Sequence, residues 1–188
     1  MSADDTKRPA RPETARVFFA LWPPETVARQ LAGIAADFSQ AAGGRPTRRE
    51  TIHLTLAFLG DVAVERLPEL QRVAGEVHGG PFELKLDRFG VWQYNRLFWA
   101  GCAAPPTALG EVAGAVKQHL LAANFAVADA KRPFMPHVTL VRKLSRLDGE
   151  VPVADVPSWR CLEFVLVRSR LSDKGSAYEL IARFPLAF

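Results

Sequence analysis

Apolar residues along the chain alternate between runs typical of buried strands and repeats at helical spacing. Strands are predicted over 17–22, 52–59, 82–91, 97–102, 136–141, 161–171 and 178–184. Helices are predicted where apolar residues recur every three or four positions, over 27–38, 67–77 and 109–120. Polar turns at 93–96 and 172–175 join neighbouring strands into hairpins.

The order of these elements predicts the fold class. Strands and helices alternate without the regular rhythm of a parallel sheet, and hairpins occur in the middle and at the end, so we expect an α+β fold with two sheets or lobes. Residues 1–16 are polar, charged and proline-containing, which predicts a flexible tail. A chain of 188 residues fits a single domain, expected over 17–188.

Composition narrows the class of protein without indicating its function. Apolar residues make up 48% and charged residues 23%, and the net charge of +4 permits an anionic partner without requiring one. Cys102 and Cys161 are too few for a disulfide framework or a four-cysteine zinc site, so we interpret them as small buried residues in a reducing cytoplasm. No segment has the roughly 20 apolar residues of a membrane span, and no membrane partner is expected.

A short pattern that occurs twice is the strongest chemical signal in the sequence. His53-Leu54-Thr55-Leu56 and His137-Val138-Thr139-Leu140 share a histidine, a threonine two positions later and an aliphatic residue after each. Two of the four histidines of the chain begin this pattern, and both copies lie in predicted strands. A single copy would carry little weight, whereas the repeat indicates a shared function.

The geometry of a strand makes the repeated pattern chemically useful. Residues i and i+2 lie on one face, roughly 6.6 Å apart, so each copy presents its histidine and threonine together while the aliphatic residues enter the core. Copies related by a pseudo-two-fold axis would bring two imidazoles and two hydroxyls to one cleft. Imidazoles suit proton transfer near neutral pH, and hydroxyls donate hydrogen bonds to phosphoryl oxygens. No cysteine or serine nucleophile stands in a matching motif, and no third histidine or paired carboxylate lies at the spacing of metal ligands. The pattern therefore predicts metal-free, acid–base cleavage of a phosphodiester.

The paired motifs resemble the signatures of the two-histidine phosphoesterase superfamily. Within it, the chain is similar to the RNA 2′,3′-cyclic phosphodiesterases, long called 2′-5′ RNA ligases, from about residue 17 to 188. The resemblance implies a bilobal fold of duplicated α/β units, with two antiparallel-rich sheets around a V-shaped cleft. It also implies catalysis without a cofactor or metal, acting on RNA ends or a small cyclic nucleotide.

The resemblance assigns a role to each residue of the motifs. The first-motif histidine of such enzymes is the proton donor and the second is the proton acceptor. Carried over, His137 would activate water against the cyclic phosphate, and His53 would protonate the departing 3′ oxygen to leave a 2′-phosphomonoester. Thr55 and Thr139 would hold the phosphate oxygens.

Arg142 matches an arginine that follows the second motif in the family. In a straight strand its side chain would face away from His137 and Thr139, so it reaches a phosphate only if the strand bends, bulges or ends near Val141. Other basic residues flank the motifs and predict a positive rim that attracts RNA phosphates. These are Arg45, Arg48, Arg49, Lys131, Arg132, Lys143, Arg168, Arg170 and Lys174.

Several alternatives remain open from the sequence. Trp92, Tyr94, Phe98 and Trp99 are interpreted as core or hairpin packing rather than as platforms for bases. The substrate could be a small cyclic nucleotide or an oligonucleotide with 2′-5′ linkages, the reaction could run in reverse as ligation, or the chain could be a non-catalytic RNA-binding protein of the same fold. We expect a cytoplasmic monomer.

Overall fold

The computed structural model describes residues 12–128, 130–172 and 175–187. Its α-helices are α1 (Glu25–Ala42), α2 (Leu67–Gly75) and α3 (Thr107–Ala122). The strands are β1 (Thr14–Leu21), β2 (Arg45–Pro46), β3 (Leu54–Ala63), β4 (Phe82–Leu84), β5 (Arg88–Trp92), β6 (Leu97–Gly101), β7 (His137–Arg142), β8 (Trp159–Cys161), β9 (Glu163–Ser172) and β10 (Gly175–Pro185). The predicted order of elements is therefore confirmed over these ranges.

Several element boundaries differ from the predictions, each for a structural reason. β1 begins at Thr14, so residues 14–16, predicted as tail, already pair with β3. The single strands predicted over 82–91 and 161–171 are each divided in two, because β4 pairs with β8 while their continuations join the large sheet. Of the predicted turn over 172–175, residues 173–174 lie outside the described residues.

The strands form one large antiparallel sheet and one small one. The large sheet has the order β10-β9-β1-β3-β7-β6-β5, with β2 added beside the end of β7, and the small sheet consists of β4 and β8. All of these pairs are antiparallel. Together with three helices, this arrangement confirms the α+β class.

The middle of the large sheet is held by very little pairing. β3 and β7 pair at a single position, Leu54 opposite Val138, although β3 continues to Ala63. The sheet therefore consists of two halves that meet at this one position and separate beyond it. The first half contains β10, β9, β1 and β3, and the second contains β7, β6 and β5. The two sheets or lobes predicted from the sequence correspond to these halves, which remain joined by hydrogen bonds at their junction.

The helices pack against one face of the sheet and form the main core. α1 contributes Val27, Leu31, Ala35 and Phe38, which recur at helical spacing and are buried. A smaller apolar cluster covers the opposite face of the first half, where Phe18, Ala20, Val165 and Val167 are buried. The second face is thus only partly apolar, and the motif side chains lie on it.

Candidate active site

The two motifs lie side by side in the centre of the sheet. Because Leu54 pairs with Val138 and the strands are antiparallel, extending the register by one residue sets each histidine across from the threonine of the other motif. Leu54 and Val138 are fully buried in the main core, so their sequence neighbours project from the opposite face. The two facing pairs are His53 with Thr139 and Thr55 with His137.

Each histidine is oriented by the same backbone contact. Nδ1 of His53 lies 2.7 Å from the carbonyl oxygen of Thr51, and Nδ1 of His137 lies 2.8 Å from that of Met135. A carbonyl oxygen can only accept, so Nδ1 is the donor in both rings. Nε2 is consequently the nitrogen that each ring offers to a substrate, as a base when neutral and as an acid when charged.

Aromatic side chains enclose His53 on several sides. Trp22 stacks on its ring with the centroids 5.6 Å apart and the planes 10° apart. Phe18 lies 4.8 Å away, and Tyr178 presents an edge at 5.4 Å. This burial lowers the pKa of His53 to about 4; the Thr51 carbonyl opposes the change, and the charges of Arg142 and His137 add to it.

His137 has a more open environment on the other half of the sheet. Trp92 meets its ring at a steep angle, with the centroids 4.5 Å apart. Burial lowers the pKa of His137, the Met135 carbonyl opposes that change, and the charge of Arg142 lowers the pKa further. One guanidinium thus acts on both imidazoles, and both rings favour the neutral form in the free protein.

A bulge in β7 brings Arg142 to the face of the motifs. Trp99 of β6 pairs with Thr139, but the preceding Phe98 pairs with Val141, so β7 has one extra residue at Leu140. Leu140 and Val141 are both buried, and the alternation of faces is reversed beyond them. Arg142 therefore projects from the same face as Thr139. The sequence required a bend, a bulge or the end of the strand near Val141 for this, and the structure has the bulge.

Arg45 lies directly across from Arg142. The two arginines are partners in the β2–β7 ladder, so their side chains project from the same face at neighbouring positions. Neither forms an ion pair with an acidic side chain in the part of the chain that the structure describes. Like charges at facing positions repel, so this pair is suited to an anion that lies between or above them.

A cavity of about 520 Å³ opens beside the motif residues. It lies where β3 separates from the segment before β7 and extends to α3. Thr55 of the first motif and His137 of the second both line it. The remaining lining is mostly apolar and includes Phe58, Trp92 and Phe134.

The sequence is similar to known phosphoesterases over nearly its whole length. The LigT-like phosphoesterase family model matches residues 21–99. The RNA 2′,3′-cyclic phosphodiesterase of Escherichia coli is 33% identical over 174 residues, which cover 93% of this chain and 98% of the relative. The chain belongs to the LigT-like phosphoesterase family. The RNA 2′,3′-cyclic phosphodiesterase of Thermus thermophilus is 29% identical over 178 residues, covering 91% of this chain and 90% of that protein.

Solved structures confirm the fold of this LigT-like phosphoesterase. Escherichia coli LigT in complex with 3′-AMP superposes with a TM-score of 0.84 at 31% identity, covering 94% of this chain and all of that chain. A Thermus thermophilus structure superposes with a TM-score of 0.77 at 27% identity, covering 91% of this chain and 97% of the other. The family resemblance stated from the paired motifs is therefore confirmed.

Several residues at the site of this LigT-like phosphoesterase were not anticipated from its sequence. The sequence predicts only that Trp22 ends one strand and that Tyr178 begins another, whereas in the structure both contact His53. The sequence favours core or hairpin packing for Trp92 and Tyr94, and in the structure both also line the cavity. Phe18 in β1 and Trp22 just after it are separated by an even number of residues, which favours one face of an extended chain. Only knowledge that β1 adjoins β3 would have placed that face beside His53.

The predicted basic rim is present only in part. Arg132 lines the cavity, and Arg45 faces Arg142. Arg49 instead pairs with acidic side chains, as do Arg168 and Arg170. Arg168 lies opposite Val17, whose side chain faces the main core rather than the motifs. Lys174 lies outside the described residues.

The cysteines of this LigT-like phosphoesterase are poor nucleophiles. Burial raises the pKa of Cys102 to about 11 and that of Cys161 to about 12, and a neighbouring carboxylate adds to each shift. Among the residues with described positions, no group of three or more His, Cys, Asp and Glu side chains could hold a metal ion. Of the described helices, none combines the length and apolar character needed to cross a bilayer.

Proposed function

We propose that this LigT-like phosphoesterase hydrolyses the 2′,3′-cyclic phosphodiester at RNA ends to a 2′-phosphomonoester. The observation that carries the proposal is the central pairing of the motifs, which sets two carbonyl-oriented histidines and two threonines on one face of the sheet. Relatives named RNA 2′,3′-cyclic phosphodiesterase support the choice of substrate. The Escherichia coli relative has been crystallised with 3′-AMP, with phosphate and with ATP, each of which carries a phosphoryl group.

The reaction needs one proton taken and one proton given. Neutral His137 accepts a proton from water at Nε2 while the water oxygen forms a bond to phosphorus. The bond between phosphorus and the 3′ oxygen breaks, and charged His53 donates its Nε2 proton to that oxygen. The product carries a 2′-phosphate and a free 3′-hydroxyl, and the protons exchange with solvent before the next cycle.

The remaining site residues bind the phosphoryl oxygens. Thr55 and Thr139 donate hydrogen bonds to the non-bridging oxygens, and the guanidinium of Arg142 neutralises their negative charge. Arg45, across from Arg142, extends the positive surface toward the rest of the RNA chain. Because both arginines lie on the motif face, they attract an anion to the position where the histidines act.

Replacing Thr55 or Thr139 by valine is expected to lower kcat/KM by roughly 10–100-fold. Valine keeps the shape of threonine but cannot donate to a charged oxygen, and such a hydrogen bond contributes about 1.5–3 kcal/mol. Steady-state kinetics on a cyclic-phosphate substrate measures the effect. Serine at the same position keeps the hydroxyl and serves as the control. Full activity of either valine variant would show that its hydroxyl does not bind the phosphate.

The pH dependence should differ between the free and the substrate-bound protein. Since both histidine pKa values lie below the ordinary 6.5 in the free protein, kcat/KM should decline as the pH rises above 6.5, where neither ring retains a proton to give. A bound phosphodiester anion favours the charged rings, so the alkaline limb of kcat should lie at higher pH. A kcat/KM profile that stays flat through neutral pH would contradict this protonation scheme.

Substrate class can be tested by direct comparison. The protein is incubated, with a chelator present, with RNA ending in a 2′,3′-cyclic phosphate, with a 2′,3′-cyclic mononucleotide and with a 2′-5′-linked dinucleotide. The proposal predicts that the RNA end is opened with the highest kcat/KM. A preference for either small substrate would support the corresponding alternative, and activity that requires added metal would contradict the acid–base scheme. Binding of RNA without opening it would indicate a non-catalytic protein.

We also propose that the protein acts as a cytoplasmic monomer, with residues 17–188 as one catalytic domain. Both motifs of the site come from a single chain and meet through one residue pair, so a second copy is not needed to complete it. The two cysteines, Cys102 and Cys161, form no disulfide, as is usual in a reducing compartment. Size-exclusion chromatography with light scattering tests the monomer.

A further inference from the structure

His53 has a tryptophan as its cross-strand neighbour at the end of β1. The β1–β3 ladder pairs Leu21 with Leu54, so the next position sets Trp22 directly across from His53. On the other side of β3, the register with β7 sets Thr139 across from the same histidine. The imidazole of His53 therefore lies between an indole and one of the two motif hydroxyls.

The indole of Trp22 lies flat on the imidazole, and the surrounding chain keeps it there. Pro23 and Pro24 follow Trp22, and a proline restricts the residue before it to an extended backbone. Tyr178 meets both rings at a steep angle, with its centroid 6.3 Å from that of Trp22 and 5.4 Å from that of His53. The planes of indole and imidazole, 10° apart, are thus kept parallel by contacts from two directions.

The corresponding position beside His137 has no side chain. In the β6–β7 ladder Gly101 pairs with His137, and the aromatic ring that contacts this histidine is Trp92, whose plane lies at 69° to it. The face of an aromatic ring carries the negative part of its quadrupole and attracts a cation, most strongly in tryptophan. Of the two motif histidines, His53 is therefore the one with an indole face lying flat on its ring.

The charges around His53 make this contact important. Burial lowers the pKa of His53, and the charges of Arg142 and His137, both on β7, lower it further. The Thr51 carbonyl opposes these effects, and Tyr178 approaches from β10 with an aromatic ring. A proton donor has to carry its proton while the substrate is bound, so His53 needs a further contact that favours the charged ring.

We infer that Trp22 is a positioning residue for the proton donor: its indole fixes the plane of the His53 ring and stabilises that ring when it is charged. The inference rests on the proposed function for the role of His53. The Thr51 carbonyl already fixes Nδ1, so a ring whose plane is also fixed directs Nε2 to one position. Trp22 acts through His53 and needs no contact of its own with the RNA.

The effect on charge is measured on the ring itself. NMR follows the titration of the His53 ring proton, identified by its absence from His53→Ala, in the wild type and in Trp22→Leu. Leucine keeps the position apolar but removes the aromatic face, so the midpoint should move to lower pH by roughly 0.5–1 unit. Trp22→Phe keeps an aromatic face and should reverse part of the shift. If the Trp22→Leu midpoint stayed in place or moved to higher pH, the indole would act only by excluding water, and the inference would be overturned.

The effect on position is measured in kcat. Trp22→Leu should lower kcat on cyclic-phosphate RNA by roughly 10-fold or more and leave KM nearly unchanged, because a small displacement of a reacting group slows the chemical step. Trp22→Phe should recover most of kcat. A rise in KM at unchanged kcat would mean that the indole binds the substrate instead, and it would contradict the inference.

Fluorinated tryptophan, introduced only at position 22, keeps the test decisive if Trp22→Leu does not fold. Fluorine withdraws electron density from the indole face and barely changes its size, so each added fluorine should move the His53 midpoint to lower pH. The matched control is the same replacement of Trp159, which is buried in β8 of the small sheet and should leave the midpoint in place.

The failure of this inference can be told apart from the failure of the proposed function. A His53 midpoint that does not respond to fluorination at position 22 would overturn the inference even in an active enzyme. If the wild type fails to open cyclic-phosphate RNA, the proposed function fails, but the NMR midpoints still decide whether Trp22 stabilises the charged ring.

Discussion

Replacing either His53 or His137 by alanine is expected to lower kcat by about 10²–10⁴-fold while the fold stays intact, because each variant lacks one of the two proton-transfer groups. The main core does not depend on these rings, which project from the opposite face of the sheet. Single-turnover kinetics on RNA with a 2′,3′-cyclic end measures the loss, and circular dichroism checks the fold.

The pH profiles of the residual activity distinguish the two roles. Without the proton acceptor His137, the acidic limb should disappear; without the proton donor His53, the alkaline limb should disappear. If the His137 variant instead lost the alkaline limb and the His53 variant lost the acidic limb, the two histidines would have the opposite roles. His78→Ala, at an exposed histidine outside both motifs, is the control and should leave activity unchanged. A motif variant with full activity would refute the acid–base pair.

Replacing Arg142 by methionine is expected to reduce kcat/KM by roughly 10–100-fold, since hydrogen bonds to charged groups contribute about 1.5–3 kcal/mol. Methionine keeps the length of the side chain and removes its charge. That charge lowers the pKa of both histidines, so its loss should also move the alkaline limb of kcat/KM to higher pH. A pH series of kcat/KM measures both effects.

The shift of the alkaline limb of kcat/KM distinguishes a role of Arg142 at the site from a purely structural role. A variant that is merely destabilised loses activity without moving the limb. Arg72→Met is the matched control, because Arg72 lies exposed on α2 and pairs with Glu76 away from the site. An Arg142 variant with unchanged kcat/KM and an unmoved limb would show that the bulge in β7 does not bring this guanidinium to the substrate.

The repeated motif allowed much of the site to be predicted because its chemistry is local. Residues two apart on a strand share a face, so each histidine could be grouped with its own threonine without any tertiary information. The family resemblance then supplied the pairing of the two copies. The structure adds the reason for that pairing, which is the register of Leu54 with Val138.

The position of Arg142 shows why parity along a strand is not sufficient. Counting from His137 placed it on the wrong face, and only the extra residue at Leu140 corrects the count. That bulge is defined by the register of β7 against β6, in which Phe98 faces Val141. A register between distant strands cannot be obtained from the hydrophobic pattern of one of them.

The aromatic surroundings of His53 depend on sheet order, which is also non-local. Trp22 and Tyr178 approach His53 because β1 lies between β3 and β9, and β10 lies beyond β9. The sequence pattern predicts the existence of these strands but not their neighbours. The same limit explains the division of the predicted strands over 82–91 and 161–171, since the chain changes sheets within each.

The position of the phosphate in the product tests the central claim most directly. RNA ending in a 2′,3′-cyclic phosphate is opened by the protein, and the product is identified by phosphorus NMR against authentic 2′- and 3′-phosphomonoesters. Protonation of the 3′ oxygen by His53 opposite water activated by His137 predicts the 2′-phosphate alone. A 3′-phosphate, or a mixture of the two, would contradict the arrangement of acid and base across the cleft.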